Sequence, residues 1–308
     1  MNPGDGQVAA IEAGGTKVVC AVGRAWEDVR DGEKFVVATT TPERTVASVA
    51  AWLRQRCPEG PAAMGVAAFG PLELTTGRVG PTPKPGWAGF DWPAALRGHF
   101  PGTVVAVDTD TNGAALAEWR WGAGQDRDVV VYVTVGTGIG GGAVIGGRVL
   151  HGLIHPEIGH MRIPHDVEDP FEGICPFHRD CLEGLASGPA VEARWGRPGR
   201  LLPPDHPAWD LESRYLAAAV ANLALVLSPN MVVMGGGVMA VPGLLASVRA
   251  RVRDLMGGYM DSAALGEGID RYIVEPALGP AAGVLGAFAL GRDALTRRRP
   301  ETGPGRPG

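Results

Sequence analysis

Two glycine- and threonine-rich turns, a Cys/His cluster and two aspartates at the end of an apolar run are the parts of this sequence able to do chemistry. The first turn is Gly14-Gly15-Thr16-Lys17, after Glu12-Ala13, and the second is Gly136-Thr137-Gly138-Ile139-Gly140-Gly141-Gly142. Small residues let backbone N–H groups approach a ligand closely and Thr hydroxyls add donors, so both turns suit phosphate. Ordinary tight hairpins would use the same residues. Gly136, Gly138 and Gly141 formally spell G-x-G-x-x-G, but a dinucleotide site needs a helix to follow. Here Ala143-Val144-Ile145-Gly146-Gly147-Arg148-Val149 reads as a hairpin. A P-loop is excluded, because none of the three lysines (Lys17, Lys34, Lys84) follows a glycine.

Cys175-x2-His178-x2-Cys181 places three soft or borderline metal ligands within seven residues, and His160 lies upstream. His165 competes with His160 for the fourth place. Four N/S ligands with no open position suit a tetrahedral, structural Zn²⁺. His155 and His160 are five apart, which rules out the H-E-x-x-H pattern of a metalloprotease. Asp108 and Asp110 follow the apolar run Val104–Val107 and precede a helix predicted over Gly113–Trp121. Asp110 in that place is a natural helix N-cap and also a candidate general base, with Asp108 as the second candidate. Lys84 lies in a Pro-rich loop with Trp87 and Trp92, whose rings could stack on a ligand or pack the loop.

These groups need strands and helices to hold them. Strands are predicted at Val8–Ile11, Val18–Val22, Ala62–Phe69, Val104–Val107, Val129–Val135, Ala143–Ile145 and Met231–Met234. Helices are predicted at Thr45–Arg56, Leu211–Leu227 with Asp210 as N-cap, Pro242–Leu255 and Ala281–Leu290. Strands alternating with helices indicate an α/β class. The unit strand–(Gly/Thr turn)–strand occurs once in each half, which predicts a duplicated fold. We place a small N-terminal domain at 1–122 with about 281–295, a larger domain with the metal loop at 123–280, and a disordered tail at 296–308. Gly122-Ala123-Gly124-Gln125-Asp126 reads as the hinge.

The chain has 308 residues and a net charge of −5, so no basic field points to nucleic acid. Four cysteines are too few for a disulfide scaffold. Met1–Gln7 is polar and is not a secretory leader, which makes a cytoplasmic location the expectation. The uncharged stretches Val129–Gly147 and Tyr215–Val248 are interrupted by glycines and by Ser228-Pro229-Asn230, so they read as core elements and not membrane spans.

Taken in order, these segments resemble the ROK sugar kinases of the actin/hexokinase/Hsp70 superfamily. Glu12–Lys17 and Gly136–Gly142 are similar to their two phosphate turns. Asp108–Gly113 is similar to the segment with their catalytic aspartate, His155–His160 and Cys175–Ser187 to their sugar and zinc segments, and Met234–Val238 to their adenosine-side turn. Glu12, the loop Thr82–Trp87 and the form of the metal cluster bring the resemblance nearest to bacterial fructokinases. His178 stands where many members have a third cysteine, a departure that should keep zinc but could soften its selectivity.

The resemblance implies a two-domain, actin/hexokinase-like (ribonuclease H-like) duplicated α/β fold with a cleft between the domains. It implies ATP-dependent phosphorylation of a hexose 6-hydroxyl, with Mg²⁺ and structural Zn²⁺ as cofactors and a homodimer as the assembly. Asp110 would be the base. Asn112, Glu157, His160, Glu183, Lys84 and Gly70 would hold the sugar, with His160 also on zinc beside Cys175, His178 and Cys181. ATP would lie on Gly14, Gly15, Thr16 and Lys17, on Gly136, Thr137, Gly138 and Gly140, and on Gly235, Gly236 and Gly237. D-fructose is the expected sugar, with glucose, mannose and N-acetylmannosamine as alternatives. A sugar-responsive repressor would need an N-terminal helix-turn-helix, and only seven residues precede the first strand. A zinc-dependent binding module without catalysis is the other non-enzyme alternative.

Overall fold

The structure, a computed structural model, describes residues 6–82 and 84–297. The chain divides into two compact units, Met1–Gly113 with Gly283–Gly308, and Ala114–Ala282. The tail expected over 296–308 lies, beyond Arg297, outside the described residues.

In the first unit the chain runs β1 (Val8–Ala13), β2 (Lys17–Gly23), α1 (Trp26–Asp31), β3 (Phe35–Ala38), α2 (Pro42–Arg56) and β4 (Ala63–Ala68). The short β5 (Leu72–Glu73) and β6 (Arg78–Val79) then precede α3 (Trp92–His99), β7 (Val104–Thr109) and α4 (Asp110–Trp121), which from Ala114 onward belongs to the second unit. The sheet order is β3-β2-β1-β4-β7. The β1/β2 and β2/β3 pairs are antiparallel, and β1/β4 and β4/β7 are parallel. Every residue of β4 is buried, as expected of a central parallel strand covered on both faces.

The second unit contains β8 (Val129–Val135), β9 (Ile139–Ile145), β10 (Arg148–Val149), α5 (Leu182–Ala186), α6 (Gly188–Trp195) and α7 (Pro207–Leu227). It continues with β11 (Met231–Gly235), α8 (Leu244–Met256), α9 (Ile269–Tyr272) and β12 (Ile273–Val274), and α10 (Ala282–Arg297) then returns to the first unit. Its sheet order is β10-β9-β8-β11-β12, with two antiparallel pairs followed by two parallel ones. Each unit therefore uses its strands in the sequence 3-2-1-4-5 with the same directions, which is the duplication expected from the repeated turns. The antiparallel β9/β10 pair puts a hairpin where a dinucleotide fold needs a helix.

Small residues let α10 lie on its neighbours. A Cβ at Gly65 of β4 would come within 1.8 Å of the Ala287 carbonyl oxygen, and one at Gly286 within 2.1 Å of the Gly113 carbonyl carbon. The glycines are thus contact points between helix and strand and between α10 and α4.

Several local expectations change. Asp210 does not cap α7. The helix starts at Pro207 because the His206 side chain accepts from Ala208 N–H, and Asp210 pairs instead with Arg214 and Arg251. Helix α4 starts at Asp110 and not at Gly113, directly after β7. Trp87 and Trp92 are fully buried, packed with Phe69 and Phe90, so they fill the core. The uncharged stretches are β8/β9 and α7/β11/α8. Among the described residues no helix is long and apolar enough to cross a membrane.

Candidate active site

The first turn joins antiparallel β1 and β2 and is closed by the Gly14 N–H, which donates to Lys17 O at 3.0 Å. Thr39 Oγ1 donates to Gly14 O at 2.7 Å, and Lys84 Nζ donates to Gly15 O. Lys84 is therefore attached to this turn and is not a freely solvated loop residue. A side chain at Gly15 would meet nothing within 4 Å, so the turn faces open space at that point. Gly70 lies at the end of β4, next to Phe69, whose N–H donates to Ala13 O at 2.8 Å.

The second turn joins β8 and β9 in the same way, with Gly136 N–H donating to Gly138 O at 2.8 Å. Gly136 also faces open space, Thr137 is exposed, and Gly140 pairs with Thr134 in the ladder. The third turn follows β11. Gly236 has φ +97°, and a Cβ there would lie 2.3 Å from Val135 O, so only glycine fits. Val238 N–H donates to that same oxygen at 3.0 Å, which sets the third turn beside the second. Gly237 again faces open space.

Asp110 is the first residue of α4, and its Oδ1 accepts from Thr111 N–H at 2.8 Å. The β7–α4 corner is built by its neighbour. Asp108 is buried, and its Oδ1 accepts from Thr109 N–H and from Asn112 Nδ2, at 2.8 and 2.7 Å. Asn112 is buried too, and its Oδ1 has no hydrogen-bond partner among the described residues. Glu12, two residues before the first turn, is pushed up to about 7 by burial and by the charge of Asp110, against the opposing effects of Lys17 and the Val284 N–H.

That shift has a sign. The folded chain keeps a proton on Glu12 that the unfolded chain gives up near 4.5, so this group costs stability as pH rises from about 4.5 to about 7. At about 1.4 kcal/mol per unit, removing the charge gains roughly 3–4 kcal/mol above pH 7 and nothing near pH 4. Glu12→Gln is expected to raise Tm by several degrees at pH 8 and not at pH 4.5. Calorimetry at the two pH values checks this, and an equal gain at both would contradict it.

The metal cluster is assembled by the loop before α5. Ligand atoms of His160, Cys175, His178 and Cys181 all lie within 4.8 Å of one another. Cys175 Sγ is 3.7 Å from the Nδ1 atoms of His160 and His178, and Cys181 Sγ is 3.5 Å from His160 Nδ1. A tetrahedron with Zn–S about 2.3 Å and Zn–N about 2.1 Å has S···N edges of roughly 3.6 Å, so the residues fit that ion. His165 is elsewhere. Its Nε2 is 3.8 Å from Asp169 Oδ2, and its ring lies against Tyr215.

Cys181 immediately precedes α5, so the cluster also fixes Glu183 in the first turn of that helix. Glu183 Oε2 accepts from Ile139 N–H at 2.8 Å, which ties the metal loop to the second turn. No spacing in the sequence signals this contact, because the two residues are 44 positions apart. Glu157 is exposed, with Oε1 3.4 Å from His155 Nδ1, and its carbonyl accepts from His160 N–H.

A family model described as the ROK family matches residues 8–294. The chain belongs to the ROK family. A fructokinase of Zymomonas mobilis is 42% identical, covering 91% of this chain and 94% of its own, and a fructokinase of Lactococcus lactis is 37% identical, covering 94% and 98%. The crystal structure of a ROK family glucokinase from Streptomyces griseus in complex with glucose and AMPPNP superposes with a TM-score of 0.72 at 26% identity, over 94% of this chain and all of that one. The fold is the actin-like two-domain fold of ROK hexokinases.

Proposed function

We propose that this ROK protein transfers the γ-phosphoryl group of ATP to the 6-hydroxyl of a hexose, with D-fructose preferred. The observation that carries the reading is Asp110 at the start of α4, in the same unit as the Gly14–Lys17 turn that faces open space at Gly15. The choice of fructose is supported by the fructokinases of Z. mobilis and L. lactis. The AMPPNP in the S. griseus glucokinase supports ATP as donor.

In the proposed reaction the sugar O6 attacks the γ-phosphorus, its proton passes to an Asp110 carboxylate oxygen, and the bond to the β,γ-bridging oxygen breaks to release ADP. The transition state is loose, so placement and charge neutralisation contribute more than the base. Gly14, Gly15, Thr16 and Lys17 offer N–H and hydroxyl donors suited to phosphate oxygens, and so do Gly136, Thr137, Gly138 and Gly140. Gly235, Gly236 and Gly237 give the adenosine a flat approach. Mg²⁺ supplies charge neutralisation when bound with ATP. Glu157, Glu183, His160, Lys84 and Gly70 are the proposed sugar contacts. Asn112 adds its unpartnered Oδ1.

Zn²⁺ is the proposed metal of His160, Cys175, His178 and Cys181, with a structural role. A cytoplasmic homodimer is the proposed assembly. Leu153, Val167 and Phe177 stand exposed on the segment around the metal loop, where a second copy could cover them.

A coupled ADP-release assay over fructose, mannose, glucose and N-acetylmannosamine tests the reading. Fructose is expected to show the highest kcat/KM, by about tenfold or more. A higher value for another hexose would overturn the sugar, and no sugar-dependent ADP release would overturn the kinase.

A further inference from the structure

The loop 166–171, the end of α6 and the start of α7 line a cavity of about 570 Å³, within the roughly 300–1,000 Å³ range of small-molecule sites. All of it lies in the second unit, and none of its lining residues belongs to the glycine turns or the metal cluster. Its floor is a buried ion pair. The side chains of Arg194 and Asp169 are 7% and 2% exposed, with Arg194 Nη2 3.0 Å from Asp169 Oδ2. Tyr215 O–H donates to the same oxygen at 2.6 Å, and Phe171 N–H donates to Asp169 Oδ1 at 3.1 Å. The Arg194 guanidinium lies over the Phe171 ring, 4.4 Å from its centre. These contacts fix the floor in advance of any ligand. A buried ion pair adds little to stability that apolar residues of the same volume would not, so its place at the bottom of a cavity calls for another reason.

Polar atoms without partners gather around the same cavity. Arg194 Nε and Trp195 Nε1, on two lining residues, are buried and have no hydrogen-bond partner among the described residues. Neither carboxyl oxygen of buried Glu212 has one, next to lining Leu211. Burial pushes the Glu212 carboxyl above the usual range, against the charge of Arg194. Buried polar atoms are normally paired with protein, water or a ligand. Two nitrogens that donate and a carboxyl that accepts are answered together by a hydroxyl, which does both.

The charges argue against other ligand classes. Asp166, Glu168, Asp169 and Asp210 outnumber Arg194 and Arg214, and Arg214 is already held by Asp166 and Asp210 at 2.8 Å each. An anion would therefore meet an excess of carboxylate charge. A cation would leave Arg194 Nε and Trp195 Nε1 unpaired and would stand against a buried guanidinium. Phe171 and Trp195 offer apolar ring surface suited to the C–H face of a sugar.

We propose that this cavity is a second small-molecule site, for a neutral, hydroxyl-rich compound of mono- or disaccharide size. Arg194 Nε and Trp195 Nε1 donate to its hydroxyls, and the Glu212 carboxyl accepts from them. The site goes beyond the kinase reading and does not depend on it. An inactive chain could still carry this site, and an active kinase could lack it, so the two readings fail separately.

Trp195 Nε1–H gives a direct readout. In a chain labelled with ¹⁵N-tryptophan, each of the eight tryptophans gives one indole N–H signal, and the one missing from Trp195→Phe is that of Trp195. D-glucose, D-fructose and sucrose are the probes, with glucose 6-phosphate as the charged control. At least one neutral probe is expected to move the Trp195 proton downfield saturably as it gains an acceptor, with a Kd below about 10 mM, and glucose 6-phosphate to bind about tenfold more weakly or not at all. No saturable shift from any neutral probe, or an equal response to glucose 6-phosphate, would overturn the inference.

Ala193→Phe separates this cavity from the catalytic sugar site. Ala193 is exposed on the cavity wall, so phenylalanine fills the space without entering the core. The substitution is expected to abolish the Trp195 shift. A shift that persists in Ala193→Phe places the binding elsewhere and overturns the inference. Should Trp195→Phe not fold, equilibrium dialysis with the radiolabelled probes decides. The wild-type chain is expected to bind about one equivalent more of a neutral probe than Ala193→Phe, and equal binding of all three overturns the inference.

Discussion

Asp110→Asn is expected to lower kcat by at least ~10²-fold while the protein still binds the hexose. The substitution is nearly isosteric. Asn Oδ1 can still accept from Thr111 N–H, so the start of α4 is retained. In the proposed reaction, what is lost is the acceptor for the O6 proton, together with the negative charge beside Glu12. Because the proposed role of Asp110 is exercised in the transition state, kcat and kcat/KM should drop together with KM little changed. Steady-state kinetics with calorimetric binding of fructose checks this, and near-normal turnover would remove Asp110 from its role. Asp108→Asn provides the contrast. Asp108 is buried and holds Thr109 N–H and Asn112 Nδ2, so its loss should show first as lowered Tm.

Removing the metal is expected to have the other large effect. Zinc in small Cys/His sites contributes of order 10 kcal/mol to local folding, and even a fraction of that lowers Tm by about 10 °C in a chain of this size. The ligands come from the segment running into α5, and α5 carries the Glu183 carboxylate that accepts from Ile139 N–H. Chelation, or Cys181→Ser, should therefore release the second turn from the metal loop and cut activity about tenfold or more, beyond the loss of stability. Elemental analysis of protein purified without added zinc, paired with calorimetry before and after chelation, measures it. Less than about half an equivalent of zinc, or an unchanged Tm after chelation, would contradict the structural role.

The parts legible in the sequence were those where chemistry restricts residue type. Glycine triplets and Gly/Thr turns are needed wherever backbone must face a ligand, so the turns at 14–17, 136–142 and 235–237 could be placed in advance. The Cys/His spacing carried the metal cluster, and the repeated strand–turn–strand unit carried the duplicated topology. Contacts between distant segments were not legible. Glu118 looks like any helical glutamate, and only the folded chain shows its carboxylate accepting from Ala277 and Leu278 N–H, 159 and 160 residues downstream. Glu183 could be suspected of binding something, but its bond to Ile139 N–H depends on how α5 packs. Trp87 and Trp92 left two readings open, stacking on a ligand or packing the loop, and the mutual packing of four aromatic rings decides for the second. Asp210 had the residue type of a cap, but Pro207 and His206 had already started the helix.

Phosphoryl transfer to one particular oxygen is read most directly from the product. Incubating the chain with ATP, Mg²⁺ and D-fructose and resolving the products by ³¹P and ¹³C NMR should give ADP and fructose 6-phosphate in equal amounts, with none of either from the Asp110→Asn chain on the same timescale. A phosphate ester at another hydroxyl, or ADP and free phosphate without any sugar ester, would contradict the account.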